Sequence, residues 1–284
     1  MYALGQSREL STKTEAEMGR KLGVWLLLLS FVFGAPAFAV EVGVDDKIGA
    51  VIMNQDGEAN GTNRSTNWSA FYNKTTVFVD HFEKEGPAGE IWFGMPVTST
   101  SRRDYKEDGD VFAKVDTMFW GFDTGVDVGW TFAVDTKGLF GEHMIYMTPL
   151  VGYSFRFYRF SQSDSDSGDS STTDYDYYLN FVDVGGRFST NISEKTELFF
   201  KPMFGIGVHS VYDNEDSGSI TANGDSWFAN LDLGVNYKIT ENFIFGISVN
   251  YDYLGLDGGQ KGDFLFLDGS MHTIGGKVAL TYKF

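Results

Sequence analysis

Over the last eleven residues of this chain apolar and polar positions alternate. Ile274, Gly276, Val278, Leu280, Tyr282 and Phe284 share one parity; Gly275, Lys277, Ala279, Thr281 and Lys283 share the other. A period of two means an extended strand with one apolar and one polar face. The pattern recurs upstream. Phe243, Phe245, Ile247, Val249, Tyr251 and Tyr253 oppose Asn242, Gly246, Ser248, Asn250 and Asp252. Trp227, Ala229, Leu231, Leu233, Val235 and Tyr237 oppose Asn230, Asp232, Gly234, Asn236 and Lys238. Phe122, Val126, Val128, Trp130, Phe132 and Val134 oppose Asp123, Gly125, Asp127, Gly129 and Thr131. A chain built of such segments must hide one face of each strand, in a sandwich or a closed barrel.

The connections favour the barrel. Tight ones are expected around Thr136, Asn191 and Thr240, and long polar ones over 161–174, 213–225 and 257–270. Short turns alternating with long loops are the asymmetry of a membrane barrel. Aromatic spacing agrees. Trp227 and Tyr237 sit at opposite ends of one apolar face, as do Phe243 and Tyr253. Ten residues at ~3.4 Å each, tilted about 40°, climb ~26 Å, close to the apolar band of about 25 Å. The expected class is therefore all-β, an antiparallel transmembrane barrel of ten strands. These lie near 48–53, 71–82, 90–98, 122–134, 145–157, 177–188, 198–212, 227–237, 243–253 and 274–284. The first pair alternates poorly, so eight strands with an N-terminal extension is the alternative. In the strand near 177–188 the parity changes around Phe181 and Val182, which reads as a bulge or as a portion standing above the membrane.

Residues 1–39 read as a signal peptide. Arg20 and Lys21 precede an apolar run over 22–33; Gly34 and Pro36 break it, and Ala37-Phe38-Ala39 offers small residues for cleavage. Met18 is a possible true start, and the barrel domain is expected to span 40–284. The whole chain carries −17 and the first 39 residues +1 (Arg8, Lys13, Arg20 and Lys21 against Glu9, Glu15 and Glu17), leaving −18 beyond them. Such a surface repels nucleic acid and favours cations. The absence of cysteine excludes disulfides, thiol chemistry and thiolate zinc sites.

Ala37-Phe38-Ala39, the alternating strands, the turn-and-loop rhythm and the closing Gly276-Lys277-Val278-Ala279-Leu280-Thr281-Tyr282-Lys283-Phe284 together resemble the outer-membrane β-barrel superfamily. The resemblance implies a place in the outer membrane of a Gram-negative-type bacterium. It implies contact with outer-membrane lipid and lipopolysaccharide, and recognition of the last strand, ending on Phe284, by the barrel assembly machinery. It implies no particular activity.

Parity puts charge on the inward face: Glu90, Asp123, Asp127, Asp183, Glu197, Asp232 and Asp252 against Arg156, Arg187, Lys201, Lys238, Lys277 and Lys283. A narrow barrel fills its interior with side chains, so these are expected to form a salt-bridged network; the sharper reading is a narrow cation path. Asp164, Asp166 and Asp169 in an acidic loop form a weak candidate cation site, lacking the length and bidentate Glu of an EF-hand. No cofactor is expected, and no metal centre, since His81, His143 and His272 are scattered. For catalysis, the ten-stranded omptin proteases offer the nearest pattern, an Asp pair on one rim loop and an Asp-His pair opposite. Asp108-Gly109-Asp110 looks like the first, but 213–225 holds no histidine, and His209 falls on an inward position below it. His209 and Ser210 are adjacent and so face opposite ways, unlike the spaced His and Ser of barrel lipid deacylases. The expected function is non-enzymatic: envelope structure or surface interaction, with a narrow cation-preferring channel as the alternative.

Overall fold

In the computed structural model each alternating segment pairs antiparallel with its sequence neighbour until the last strand meets the first. Residues 40–59, 62–82, 85–135, 144–164, 172–213, 220–261, 264–266 and 268–284 are described; the expected signal peptide lies outside them. The strands are β1 (Glu41–Ala59), β2 (Thr62–His81), β3 (Gly86–Thr98), β4 (Ser101–Glu107), β5 (Asp110–Asp135), β6 (Met144–Asp164), β7 (Thr172–Asn191), β8 (Thr196–Asp213), β9 (Ile220–Lys238), β10 (Phe243–Leu256), β11 (Gly259–Lys261), β12 (Phe264–Phe266) and β13 (Asp268–Lys283). β11 and β12 form a separate small hairpin. β3 and β4 share one place between β2 and β5, broken where Ser99 N donates to Phe71 O. The ring therefore has ten places, and the eight-strand alternative falls.

Closure is made by β1 and β13, paired from Glu41 opposite Lys283 to Asp56 opposite Asp268. Hydrocarbon offers no partner to a bare N–H or C=O, so a sheet crosses a membrane only when no edge is left. The exterior matches that solvent. Val182, Ile206, Leu233 and Val249 are all more than 60% exposed. Trp227 and Tyr253 meet at one end of the apolar band, ring centroids 4.4 Å apart; Phe243, Tyr282 and Phe284 cluster at the other. The two girdles inferred from spacing are thus present.

Several boundaries differ from expectation. β1 and β2 run well beyond 48–53 and 71–82, because the Thr- and Asn-rich segment they share still pairs outside the lipid, up to Ala59 opposite Thr62. The loops are correspondingly shorter. β6 continues to Asp164 and β7 starts at Thr172; β9 starts at Ile220; β13 starts at Asp268. Turns at 192–195 and 239–242 are tight as expected, while the one around Thr136 lies outside the described residues. No bulge occurs near Phe181, since β7 keeps one register against β6 and β8. The parity change instead marks a lumen that turns apolar: Leu179 and Phe181 point inward with no exposure, and Val182 points out.

The fold sets opposite tolerances on the two faces. Leu233→Arg, on the lipid face, is expected to cost ~2–4 kcal/mol. Ser248→Asp, in the lumen opposite Lys277, is expected to cost much less. Refolding into vesicles across a urea series measures both, and equal losses would refute the assignment of faces.

Candidate functional site

Because β-strands alternate, the polar parity of every strand converges on one axis. At the short-turn end this makes a cup of about 690 Å³. Of the thirteen inward charges taken from the pattern as a network, twelve line it along the strands: Glu90, Asp123, Asp127, Arg156, Asp183, Arg187, Glu197, Lys201, Asp232, Lys238, Asp252 and Lys277. Lys283 does too. The pattern missed Glu41, Asp45, Lys47, Lys74 and Asp80, which β1 and β2 contribute. Their signal was the shared parity of Glu41, Asp45 and Lys47, hidden by the poor alternation of that pair of strands.

The charges are mostly paired. Lys74 Nζ lies 2.5 Å from Asp123 Oδ2, Arg156 Nη1 3.1 Å from Asp252 Oδ2, and Arg187 Nη2 2.9 Å from Glu197 Oε2. Asn236 Nδ2 also donates to Glu197, at 2.9 Å. Lys277 Nζ bridges Asp232 (2.7 Å) and Asp45 (3.5 Å), and Lys283 Nζ reaches Glu41 at 3.2 Å. Lys201 joins Glu90 and sits 3.7 Å from Asp127. Lys47 Nζ donates to Asn250 Oδ1 (2.5 Å) and Thr273 Oγ1 (2.9 Å). Lys238 lines the cup with no ion pair among the described residues. Eleven carboxylates face nine cations, so the excess negative charge inside is small.

Glycines make room for this network. Asp127, Gly152, Asp183 and Gly205 lie in one cross-strand row on β5 to β8. A Cβ on Gly152 would collide with Asp127 Oδ1, and one on Gly205 would meet Asp183 Oδ1 and the Phe228 ring. No sequence signal separated these glycines from others.

Towards the far end the cup is floored by apolar side chains. Val51, Met53, Trp68, Tyr72, Phe119, Tyr158, Phe160, Leu179, Phe181, Phe228, Leu254 and Met271 form one buried cluster. The residual gap bounded by Met53, Tyr158, Leu179, Leu254 and Met271 has no space for a water molecule. Arg156 joins the two zones, its guanidinium 4.3 Å from the Phe228 ring centroid while it pairs with Asp252.

The rim residues weighed for chemistry fall elsewhere. Asp108 and Gly109, with φ of 48° and 93°, are the two-residue turn of the β4–β5 hairpin, a primed turn that demands positive φ. Asp108 Oδ1 accepts a hydrogen bond from the backbone N–H of Asn63 at 3.1 Å. Its carboxylate thus ties two hairpins together. His209 is buried on the inward face, as its parity implied. Asp166 and Asp169 lie outside the described residues, and Asp164 ends β6. Asp174 and Asp176, in the same acidic stretch, are held by Arg159 at 3.9 and 2.6 Å. Among the described residues, no group of three or more acidic or histidine side chains is placed to hold a metal.

No family model matches the chain, and no curated protein does. Solved structures do. The outer membrane protease OmpT of Escherichia coli superposes with a TM-score of 0.51 at 11% identity, over 88% of this chain and 99% of that one. The translocator domain of the autotransporter NalP of Neisseria meningitidis gives 0.37 at 14%, over 96% and 98%. A major outer membrane protein of Thermus thermophilus gives 0.40 at 12%, over 87% and 100%. At 11% identity the likeness to OmpT is one of fold: the chain has the closed, antiparallel β-barrel fold of that outer-membrane protein.

Breaking one member of a buried pair strands its partner. Lys277→Met, which leaves Asp232 and Asp45 unpaired, is expected to destabilise the barrel by about 3 kcal/mol. Adding Asp232→Leu should restore part of that. Vesicle refolding in urea measures both steps; no recovery in the double variant would show that the Lys277–Asp232 pair is not the dominant contact.

Proposed function

We propose that this chain is a non-enzymatic, non-conducting barrel of the outer membrane, acting in envelope structure or, through its acidic far rim, in surface interaction. The observation that carries this reading is the apolar floor above the charged cup. An ion leaving the cup would have to cross packed Phe119, Leu179 and Phe181, each with no exposure. Packed apolar groups give an ion nothing in exchange for its hydration shell. The pairing of the cup charges points the same way, since paired groups stiffen a wall rather than hand ions along it. The turn role of Asp108 and the burial of His209 support the non-enzymatic part. Outer-membrane lipid and lipopolysaccharide would contact the girdled exterior. The assembly machinery would engage β13 through Tyr282 and Phe284, which close the apolar face of the last strand.

Planar-bilayer recording of the purified protein should show no resolved conductance steps. Steady cation-selective steps would put the channel reading first. Incubation with peptide and lipid substrates should leave them intact.

The rim should be separable from the barrel. The residues 165–171 between β6 and β7 are Ser, Asp and Gly, with no apolar side chain to contribute to the barrel. Deleting them is expected to leave a heat-modifiable barrel while weakening cation binding at low salt, through loss of Asp166 and Asp169. Gln162 must be kept, because its side chain accepts a hydrogen bond from the Tyr105 hydroxyl, over the intervening β5, at 3.0 Å. Failure of the deleted protein to fold would refute the separation.

A further inference from the structure

Between the girdles, outward residues of most strands are apolar; the wall made by β1 and β2 departs from this. On β1 the outward run is Val42, Val44, Asp46, Ile48, Ala50 and Ile52, with Val44, Ile48 and Ile52 all more than 40% exposed. Asp46 stands inside that run, opposite Val278 of β13 and Thr75 of β2. Val278 is itself midway between Ile274 and the girdle residue Tyr282, so the Asp46 carboxylate lies within the apolar band.

Two more polar side chains join it from the outward face of β2. Asn73 Nδ2 donates to Asp46 Oδ1 at 3.1 Å, and Thr75 Oγ1 donates to the same oxygen at 3.0 Å. Both bonds end on Oδ1, and Asp46 Oδ2 accepts none among the described residues. Lipid tails hold no donor for that oxygen. Thr124, another outward hydroxyl, shows the contrast: it donates to the Trp92 carbonyl at 2.8 Å and is satisfied within its own wall.

A second feature adjoins the first. Ile48 is paired with Gly276 of β13, which also faces outward. A Cβ on Gly276 would meet nothing within 4 Å, so the wall has a hollow beside an exposed Ile. The patch thus carries a knob with a hole and an acceptor with a donor, since Asn73 uses one amide hydrogen on Asp46 and keeps another. A surface holding both halves of each contact is what a two-fold interface requires, because each copy presents the same patch to the other. Asp46 and its donors lie at nearly one height, as do Ile48 and Gly276, so a two-fold axis along the membrane normal brings like levels together. Small residues that let backbones approach, with polar groups bonding across, are the general means of association in lipid, where apolar burial supplies little drive.

We propose that the wall of β1, β2 and outward β13 is the lateral interface of a homodimer, with Asp46 Oδ2 of each copy accepting from Asn73 of the other and Ile48 seated over Gly276. The second copy is favoured over another partner because no further chemistry is needed to complete the patch.

The chain has no cysteine, so single thiols report contact cleanly. Ile48→Cys and, on the far wall, Val182→Cys of β7 are placed in the full-length protein. Each is oxidised in proteoliposomes of phosphatidylcholine at low protein density. Disulfide-linked dimer from Ile48→Cys is expected in about tenfold excess over Val182→Cys. Adding Asp46→Leu or Asn73→Leu to Ile48→Cys should lower its yield about tenfold, with the heat-modifiable folded fraction unchanged or raised. If Asp46→Leu does not fold, Asn73→Leu and Thr75→Val answer the same question with the carboxylate in place. Equal yields at the two thiols, undiminished yield in every patch variant, or a cross-link in cell membranes to a different protein would each overturn the proposal.

Discussion

The ladder between β1 and β13 is the contact on which every other feature rests. It joins residues more than two hundred positions apart, from Glu41 opposite Lys283 to Asp56 opposite Asp268. Without it, the backbone groups along two strand edges would face hydrocarbon, at several kcal/mol each. With it, the polar parity of all ten strand positions is confined to one lumen. The charged cup is therefore a consequence of closure. The same Lys277 that forms part of the ladder reaches across to Asp232, so closure and lumen pairing are made by one strand.

The lumen then divides by depth. At the short-turn end, cations and carboxylates interleave; further along, the same inward parity carries Phe119, Leu179 and Phe181. The two zones are complementary in cost. Ion pairs with several hydrogen bonds tolerate a partly wet cup, while an apolar floor without room for water needs no polar partner at all. Arg156 makes the boundary workable. Its guanidinium is salt-bridged on one side and lies over the Phe228 ring on the other, a geometry for which a planar, weakly hydrated cation is suited and Lys is not.

How much of this was legible follows from how strictly each strand alternates. β9, β10 and β13 have lipid outside and polar or small groups inside over 230–238, 246–252 and 273–283, so their facing, their girdles and their contributions to the cup could be read directly. Tyr177, Leu179 and Phe181 broke the rule on β7, because periodicity records a change of polarity but not whether the backbone or the environment changed. The environment had changed. The loop lengths were overestimated for a related reason: Ser, Thr and Asp pair well enough in a ladder outside the lipid, and composition alone does not mark where pairing stops. The charge network of β5 to β10 was recovered by parity. Its ion pairs were not, since partners such as Lys201 on β8 and Glu90 on β3 meet across the lumen, from strands that never pair.

β1 and β2 were the least legible strands, and two distinct inversions account for it. Inward, Val51, Met53, Trp68 and Tyr72 are apolar because they complete the floor. Outward, Asp46, Asn73 and Thr75 are polar where lipid should be. The first inversion is resolved within the molecule: every apolar group of the floor meets another, and the aromatic rings of Trp68, Phe119 and Phe160 pack at centroid distances of 5.2 to 6.1 Å. The second is resolved only in part, since both donors bond to one carboxylate oxygen and leave the other unused. An inverted residue inside a barrel can be answered by the far wall. One on the outside has only what lies beside it in the membrane, and of the possible neighbours, lipid tails supply no hydrogen bond while the same patch on a second barrel supplies both donor and hollow. The irregularity that obscured these strands in the sequence is thus the physical ground for assigning them a partner.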